Sequence, residues 1–67
     1  MSQGERVLKI RKALDLTMEQ FGDKLGVQKS AISKIEKDKV NLSDQMIKSI
    51  CREYNVNYDY LMHGEGE

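Results

Sequence analysis

Aliphatic residues recur at helical spacing from the first dozen positions. Val7, Ile10 and Leu14 fall on one stripe, with Leu8 beside it and Arg11 on the same face. The spacing predicts helix 1 from about Gly4 to Leu14, followed by a short connector at Asp15 and Leu16. Thr17 stands three residues before Gln20, a pattern in which two side chains reciprocally satisfy free N–H groups at a helix start. Helix 2 is predicted from there through Phe21 to Leu25, ending at Gly26, where glycine takes a left-handed backbone without steric penalty. Helix 3 is predicted over Gln28 to Lys37, with Ala31, Ile32 and Ile35 apolar and Lys29, Ser30, Ser33 and Lys34 facing elsewhere. After a polar loop over residues 38–42, Ser43 suits an N-cap, and Met46, Ile47, Ile50, Cys51 and Tyr54 mark the inner face of helix 4. Asn55 is placed to end helix 4, and Asn57 to cap a last short helix from Tyr58 to Met62. Residues 63–67 are expected to form a flexible tail. No period-two alternation of useful length and no internal repeat appears, so the expected fold class is all-α, with five short helices in one domain spanning residues 1–67.

Length and composition narrow what such a bundle can be. A chain of 67 residues buries only about 60% of the surface its unfolded form exposes, which leaves no room for a second core. A single cysteine, Cys51, rules out an intrachain disulfide, so packing and helix caps must hold the fold. That thiol and the single imidazole, His63, cannot supply a Cys₂His₂ or His₃ zinc set, and neither a metal nor another cofactor is expected. No apolar run approaches the ~20 residues that span a bilayer, and the start MSQGERVLKIRK lacks the apolar core of a signal peptide, so a cytoplasmic location is expected. Nothing places a serine or carboxylate against His63 as in a nucleophilic triad, no glycine-rich phosphate loop precedes a helix, and the chain is not expected to be an enzyme. Eleven basic and eleven acidic residues cancel. The balance conceals an asymmetry: residues 1–39 hold nine basic and six acidic groups, and residues 40–67 hold two and five.

The stretch TMEQFGDKLGVQKSAISKIEKDK, residues 17–39, is the informative one. Two short helices joined by a tight turn at Gly26 form a helix-turn-helix over about residues 17–37. Gly22 sits in mid-helix, where glycine costs roughly 1 kcal/mol relative to alanine, and close passage of the next helix is the expected compensation. Val27 can plug the corner, and Ile32 with Ile35 can lock the second helix onto the first. Gln28, Lys29, Ser30, Ser33 and Lys34 remain outside, with Lys37 beyond them. A helix in a DNA major groove needs long donors that reach base edges and small hydroxyls that permit close approach, and this face has both. Phosphate contacts are expected at the start of helix 2, near Thr17 and Met18, and from Lys37, Lys39 and Asn41. Charge clusters are commonly no more than a solvated face, so the lysines alone would not decide the matter.

In these phrases, and in YNVNYDYLMHGEG at residues 54–66, the chain resembles the lambda-repressor-like DNA-binding domains, the Cro or XRE type, from about Arg6 to Gly64. The resemblance implies a five-helix domain with helix 3 as recognition helix, two copies of which bind a palindromic operator. It makes Lys29, Ser30, Ser33 and Lys34 base-facing, with Gln28 at the start of that helix, and matches Arg11 and Glu36 to a salt bridge between helices 1 and 3. Three positions depart from the pattern. Met18 replaces a common glutamine, Gln28 replaces a small hydroxyl N-cap, and Asp38 replaces a common glycine. In the apolar C-terminal patch, Tyr58, Tyr60 and Met62 are the expected contact between two subunits, since aromatic residues and Met are favoured in interfaces. The function expected is a bacterial or phage-encoded transcription regulator, a homodimeric repressor binding a double-stranded DNA operator. The alternative is an antitoxin-like or accessory protein-interaction module that keeps the helix-turn-helix as scaffold, an idea that the zero net charge supports.

Overall fold

The computed structural model describes residues 2–64, which form α1 (Gln3–Ala13), α2 (Met18–Leu25), α3 (Lys29–Glu36), α4 (Asp44–Tyr54) and α5 (Tyr58–His63). Local chemistry sets most of the boundaries. Thr17 accepts from the Gln20 N–H while the Gln20 side chain accepts from the Thr17 N–H, and Gly26 ends α2 at φ 77°. Ser43 caps α4, Asn55 ends it in the left-handed region, and the Asn57 side chain accepts from the Tyr60 N–H at the start of α5.

Five boundaries differ from the sequence expectation. The first helix begins one residue earlier because Ser2 and Glu5 make a second reciprocal cap, in which the Ser2 N–H and hydroxyl hold the Glu5 carboxyl below its ordinary pKa. It ends one residue earlier because Asp15 turns left-handed at φ 58°, which leaves Leu14 on the cap and exposed rather than on the inner stripe. Gln28 and Lys37 are the caps of α3 rather than its terminal turns. His63 closes α5 and Gly64 caps it at φ 79°, where the tail was expected to start; of that tail, residues 65–67 lie outside the described residues.

Every helix sends at least one side chain into the same core. Val7 from α1, Phe21 from α2, Ile32 and Ile35 from α3, Ile47 and Ile50 from α4, and Leu61 from α5 form one cluster. Each fully buried side chain of this kind contributes roughly 1.5 to 3 kcal/mol of transfer free energy. The Phe21 ring stacks on Tyr54 with centroids 4.6 Å apart, and the Tyr54 hydroxyl donates to the Phe21 carbonyl at 2.9 Å. Arg6 carries its charge inward. Its residue is 8% exposed, and its guanidinium donates to the Leu61 and Met62 carbonyls at 3.1 and 3.2 Å, satisfying the open end of α5 from the other end of the chain.

Candidate nucleic-acid interface

The inner side of α3 is fixed from three directions. Glu36, its last helical residue, is buried and receives the Arg11 guanidinium in a two-point bridge, Nε to Oε2 at 2.7 Å and Nη2 to Oε1 at 3.2 Å. The third Arg11 bond, Nη1 to the Leu16 carbonyl at 2.9 Å, ties the same group to the connector that leads into α2. A planar guanidinium suits this task, because its donors fit a carboxylate side by side and still reach a third acceptor. The polar residue on the apolar stripe of helix 1 is thereby accounted for.

Gly22 supplies the second constraint. A Cβ built there would stand 2.7 Å from the Val27 carbonyl oxygen and 3.2 Å from Ile32 Cγ1, so the two helices cross at a distance that admits no side chain. The turn is closed by the Val27 N–H, which donates to the Gly22 carbonyl at 2.9 Å. Beyond the far end of α3, Asp38 adopts φ 59°, a conformation that favours glycine. Its carboxylate offsets the strain by accepting from the Ser2 hydroxyl at 2.6 Å and the Gly4 N–H at 3.1 Å. Gly4 is the close-approach residue of that junction, since a Cβ there would fall on the Ile35 carbonyl oxygen. Sequence reasoning missed this tie. An aspartate in a glycine position, with Ser-x-x-Glu at the chain start, was the available signal.

With its inner side held, α3 presents a polar outer face. Lys29, Ser30 and Lys34 are exposed, as is Gln28 just ahead of the helix, while Ser33 is half-buried. Gln28 makes no side-chain cap bond, so its amide is not committed to the helix it precedes. Lys37, Lys39 and Asn41 are exposed along the exit from the helix. Thr17 and Met18 adjoin this face, sharing a shallow cleft with Lys29, Glu19 and Arg11. The cap of α2 occupies the N–H groups of Thr17 and Gln20, which leaves those of Met18 and Glu19 as the free first-turn donors toward an anion. A second open cleft is lined by Glu19, Asp23, Val27, Gln28, Lys29 and Ser30, so two carboxylates border the α2 side of the face.

The C-terminal patch divides differently from expectation. Tyr60 is buried at 8% exposure and seals the core beside Leu61, Met62 is half-buried, and Tyr58 alone of the three is exposed, at 42%. A six-residue helix over the core has one inner side, and Tyr60 and Leu61 occupy it. Tyr60 therefore has little surface to offer a second subunit. Another partly apolar groove lies between α3 and α4, where Ala31, Ile35, Val40, Leu42 and Met46 line it together with Ser30, Lys34, Asn41 and Ser43, and Val40 at its rim is 47% exposed.

Cys51 is half-buried, and burial raises its thiol pKa, which reduces the thiolate available for reaction. Among the described residues, no three His, Cys, Asp or Glu side chains gather as metal ligands, and no helix is long and apolar enough to cross a membrane.

Comparison with known proteins decides the family. Residues 7–61 match the helix-turn-helix family. The chain belongs to the lambda-repressor-like helix-turn-helix proteins. Its backbone matches the P22 c2 repressor protein, solved in complex with synthetic operator 9T, with a TM-score of 0.88 and 26% identity over 97% of this chain and 98% of that one. Among curated relatives, this helix-turn-helix chain is 34% identical to the transcriptional activator BcrR of Enterococcus faecalis, over 97% of its own length and 32% of BcrR. It is 31% identical to the antitoxin PezA of Streptococcus pneumoniae, over 82% of its length and 35% of PezA. It is 33% identical to YobD, an uncharacterized HTH-type transcriptional regulator of Bacillus subtilis, over 87% of its length and 52% of YobD. The chain thus spans about a third to a half of the curated relatives it matches. Two of these relatives carry the names of transcription regulators and the structural neighbour was solved on DNA; the fold shared with that neighbour is all-α.

Proposed function

We propose that this chain acts as one DNA-binding unit that pairs with a second copy on a palindromic operator and represses transcription by occupying the promoter. The observation that carries the proposal is the outer face of α3. Gln28, Lys29, Ser30 and Lys34 are exposed on or beside a helix whose other side is immobilised by Arg11–Glu36 and by Gly22. Base edges would be read by Gln28, Lys29, Ser30, Ser33 and Lys34. Phosphates would be held by the Met18 and Glu19 N–H groups, the Thr17 cap, Lys37, Lys39 and Asn41. The operator-bound state of the P22 c2 repressor supports this docking by likeness.

Half-sites one helical turn apart put the two recognition helices about 34 Å from each other. Leu14, Val40 and Tyr58 are the large apolar side chains exposed for a contact between the two copies. Selection of binding sites from random duplex DNA at moderate salt tests the proposal. A palindromic consensus with half-sites one turn apart is the expected result, and a single half-site would remove the dimer from it.

The antitoxin-like module keeps a specific support in the similarity to PezA. Absence of any enriched duplex would favour it and redirect the search to a protein partner.

A further inference from the structure

The cleft between the starts of α2 and α3 is lined by Arg11, Thr17, Met18, Glu19 and Lys29. Four of these are polar or charged, and Arg11 is committed to Glu36 and the Leu16 carbonyl. Met18 is the apolar part of the lining. It is half-buried, packing partly on the core cluster while lining the cleft. Lys29, the first residue of α3, makes the cleft continuous with the exposed face of that helix.

A thioether is a weak acceptor and no donor, so it gains little beside a phosphate or a hydrogen-bonding base edge. The major groove displays one apolar group, the C5-methyl of thymine. Methionine suits contact with such a group, because its unbranched, polarizable chain adjusts to an irregular surface. We infer that the Met18 side chain reads a thymine C5-methyl within each half-site, while its backbone N–H stays available to phosphate. The inference rests on the proposed docking of α3 in the major groove. It makes the first residue of α2 a determinant of sequence, in addition to the face of α3.

The test starts from duplexes selected by the 67-residue chain. Each thymine of the selected site is replaced in turn by deoxyuridine, which removes only the methyl. One thymine per half-site should show about a fourfold loss of wild-type affinity, the equivalent of one buried carbon at about 0.8 kcal/mol. At that thymine, Met18→Ala should bind the thymine and uracil duplexes equally, and Met18→Leu should retain the preference. If Met18→Ala fails to fold, Met18→Gln serves the same comparison, and the wild-type scan needs no variant. Tolerance of uracil at every position overturns the inference, as does a uracil penalty that survives in the Met18 variant, which would assign the methyl to another side chain. Specific enrichment without a methyl effect removes only the role of Met18, whereas no enrichment at all removes the docking and Met18 with it.

Discussion

Replacing Gly22 by alanine adds a single methyl at the crossing of α2 and α3, and two opposing effects set the outcome. On an isolated helix the exchange favours folding by about 1 kcal/mol, because glycine loses more backbone freedom on becoming helical. In this protein the new Cβ would lie 2.7 Å from the Val27 carbonyl oxygen, 3.2 Å from Ile32 Cγ1 and 3.5 Å from the Gln28 carbonyl oxygen. Carbon–oxygen contacts ordinarily begin near 3.3 Å, so the first must open by roughly half an ångström. Neither neighbour yields easily. The Val27 carbonyl is backbone within a turn closed onto Gly22 itself, and Ile32 is fully buried. Overpacking of a tight junction costs about 1 to 3 kcal/mol, and an obstacle made of backbone belongs in the upper part of that range. A net loss of about 1 to 2 kcal/mol follows, which at about 4 to 8 °C per kcal/mol lowers Tm by roughly 5 to 15 °C. Because relief comes from moving α3 away from α2, affinity for a selected duplex should fall even where the variant is fully folded. Gly26→Ala is the comparison. Its φ is 77° and a Cβ there meets nothing within 4 Å, so only the left-handed strain of about 1 to 2 kcal/mol applies and affinity per folded molecule should hold. Thermal unfolding followed by circular dichroism, with titration of a labelled duplex, measures both. A Gly22→Ala protein as stable as wild type, with unchanged affinity, would refute the close crossing.

Three further outcomes are expected. Arg11→Ala leaves the Glu36 carboxylate buried without its partner, at a cost of roughly 3 to 5 kcal/mol, against a whole-domain stability of about 3 to 10 kcal/mol for this length. Urea titration should show about a third or more of the stability lost, while the double replacement Arg11→Met with Glu36→Leu should recover most of the loss; a soluble, fully stable Arg11→Ala would contradict the burial argument. Lys34→Ala should weaken binding to the selected duplex by about 1 to 3 kcal/mol and relax the consensus at one position, and indifference to substitution at both Lys29 and Lys34 would sink the docking of α3. Glu5 has a folded pKa below its ordinary value, so its cap contributes fully above that value and is lost as pH falls through the lower folded pKa. The acid limb of a stability–pH profile should flatten in Glu5→Gln, and an unchanged limb would show that the cap carries no pH dependence.

The legible parts of this fold are those decided by neighbours in sequence. Thr17 with Gln20, Gly26, Ser43, Asn55 and Asn57 announce helix ends because each acts within four residues on its own backbone. Gly22 was readable for the opposite reason, as a residue that local propensity disfavours and only a close neighbour explains. Arg6 carried no such signal, since its acceptors lie 55 and 56 residues away at the end of α5. Asp15 was opaque because aspartate does not mark a left-handed turn as glycine does; Asp38 was flagged only by the family glycine it replaces, and the Ser2 and Gly4 bonds that offset its strain come from the far chain start. The sides taken by Tyr58 and Tyr60 were undecidable from pattern, because a six-residue helix completes too few turns to define a period. Of the candidate interface, the pattern supplied the exposed residues of α3. The pairing of Arg11 with Glu36 required the family resemblance.

Neutral composition is a weak argument against DNA binding in this chain because its charges are not equivalent in place. Arg6 and Arg11 are used inside, one to close α5 and the other to hold α3, and Glu36 is cancelled where it is buried. The exposed cations Lys29, Lys34, Lys37 and Lys39 are left together along α3 and its exit. Screening confines each exposed charge to about 8 Å at physiological ionic strength, so a duplex laid against α3 responds to those four and to the carboxylates within that reach. Glu19 and Asp23 are such carboxylates, bordering the α2 side of the same face. They lower the general attraction to phosphate that would otherwise hold the protein on any duplex. Under the proposed docking, discrimination among sequences then depends more on the side chains placed at the base edges.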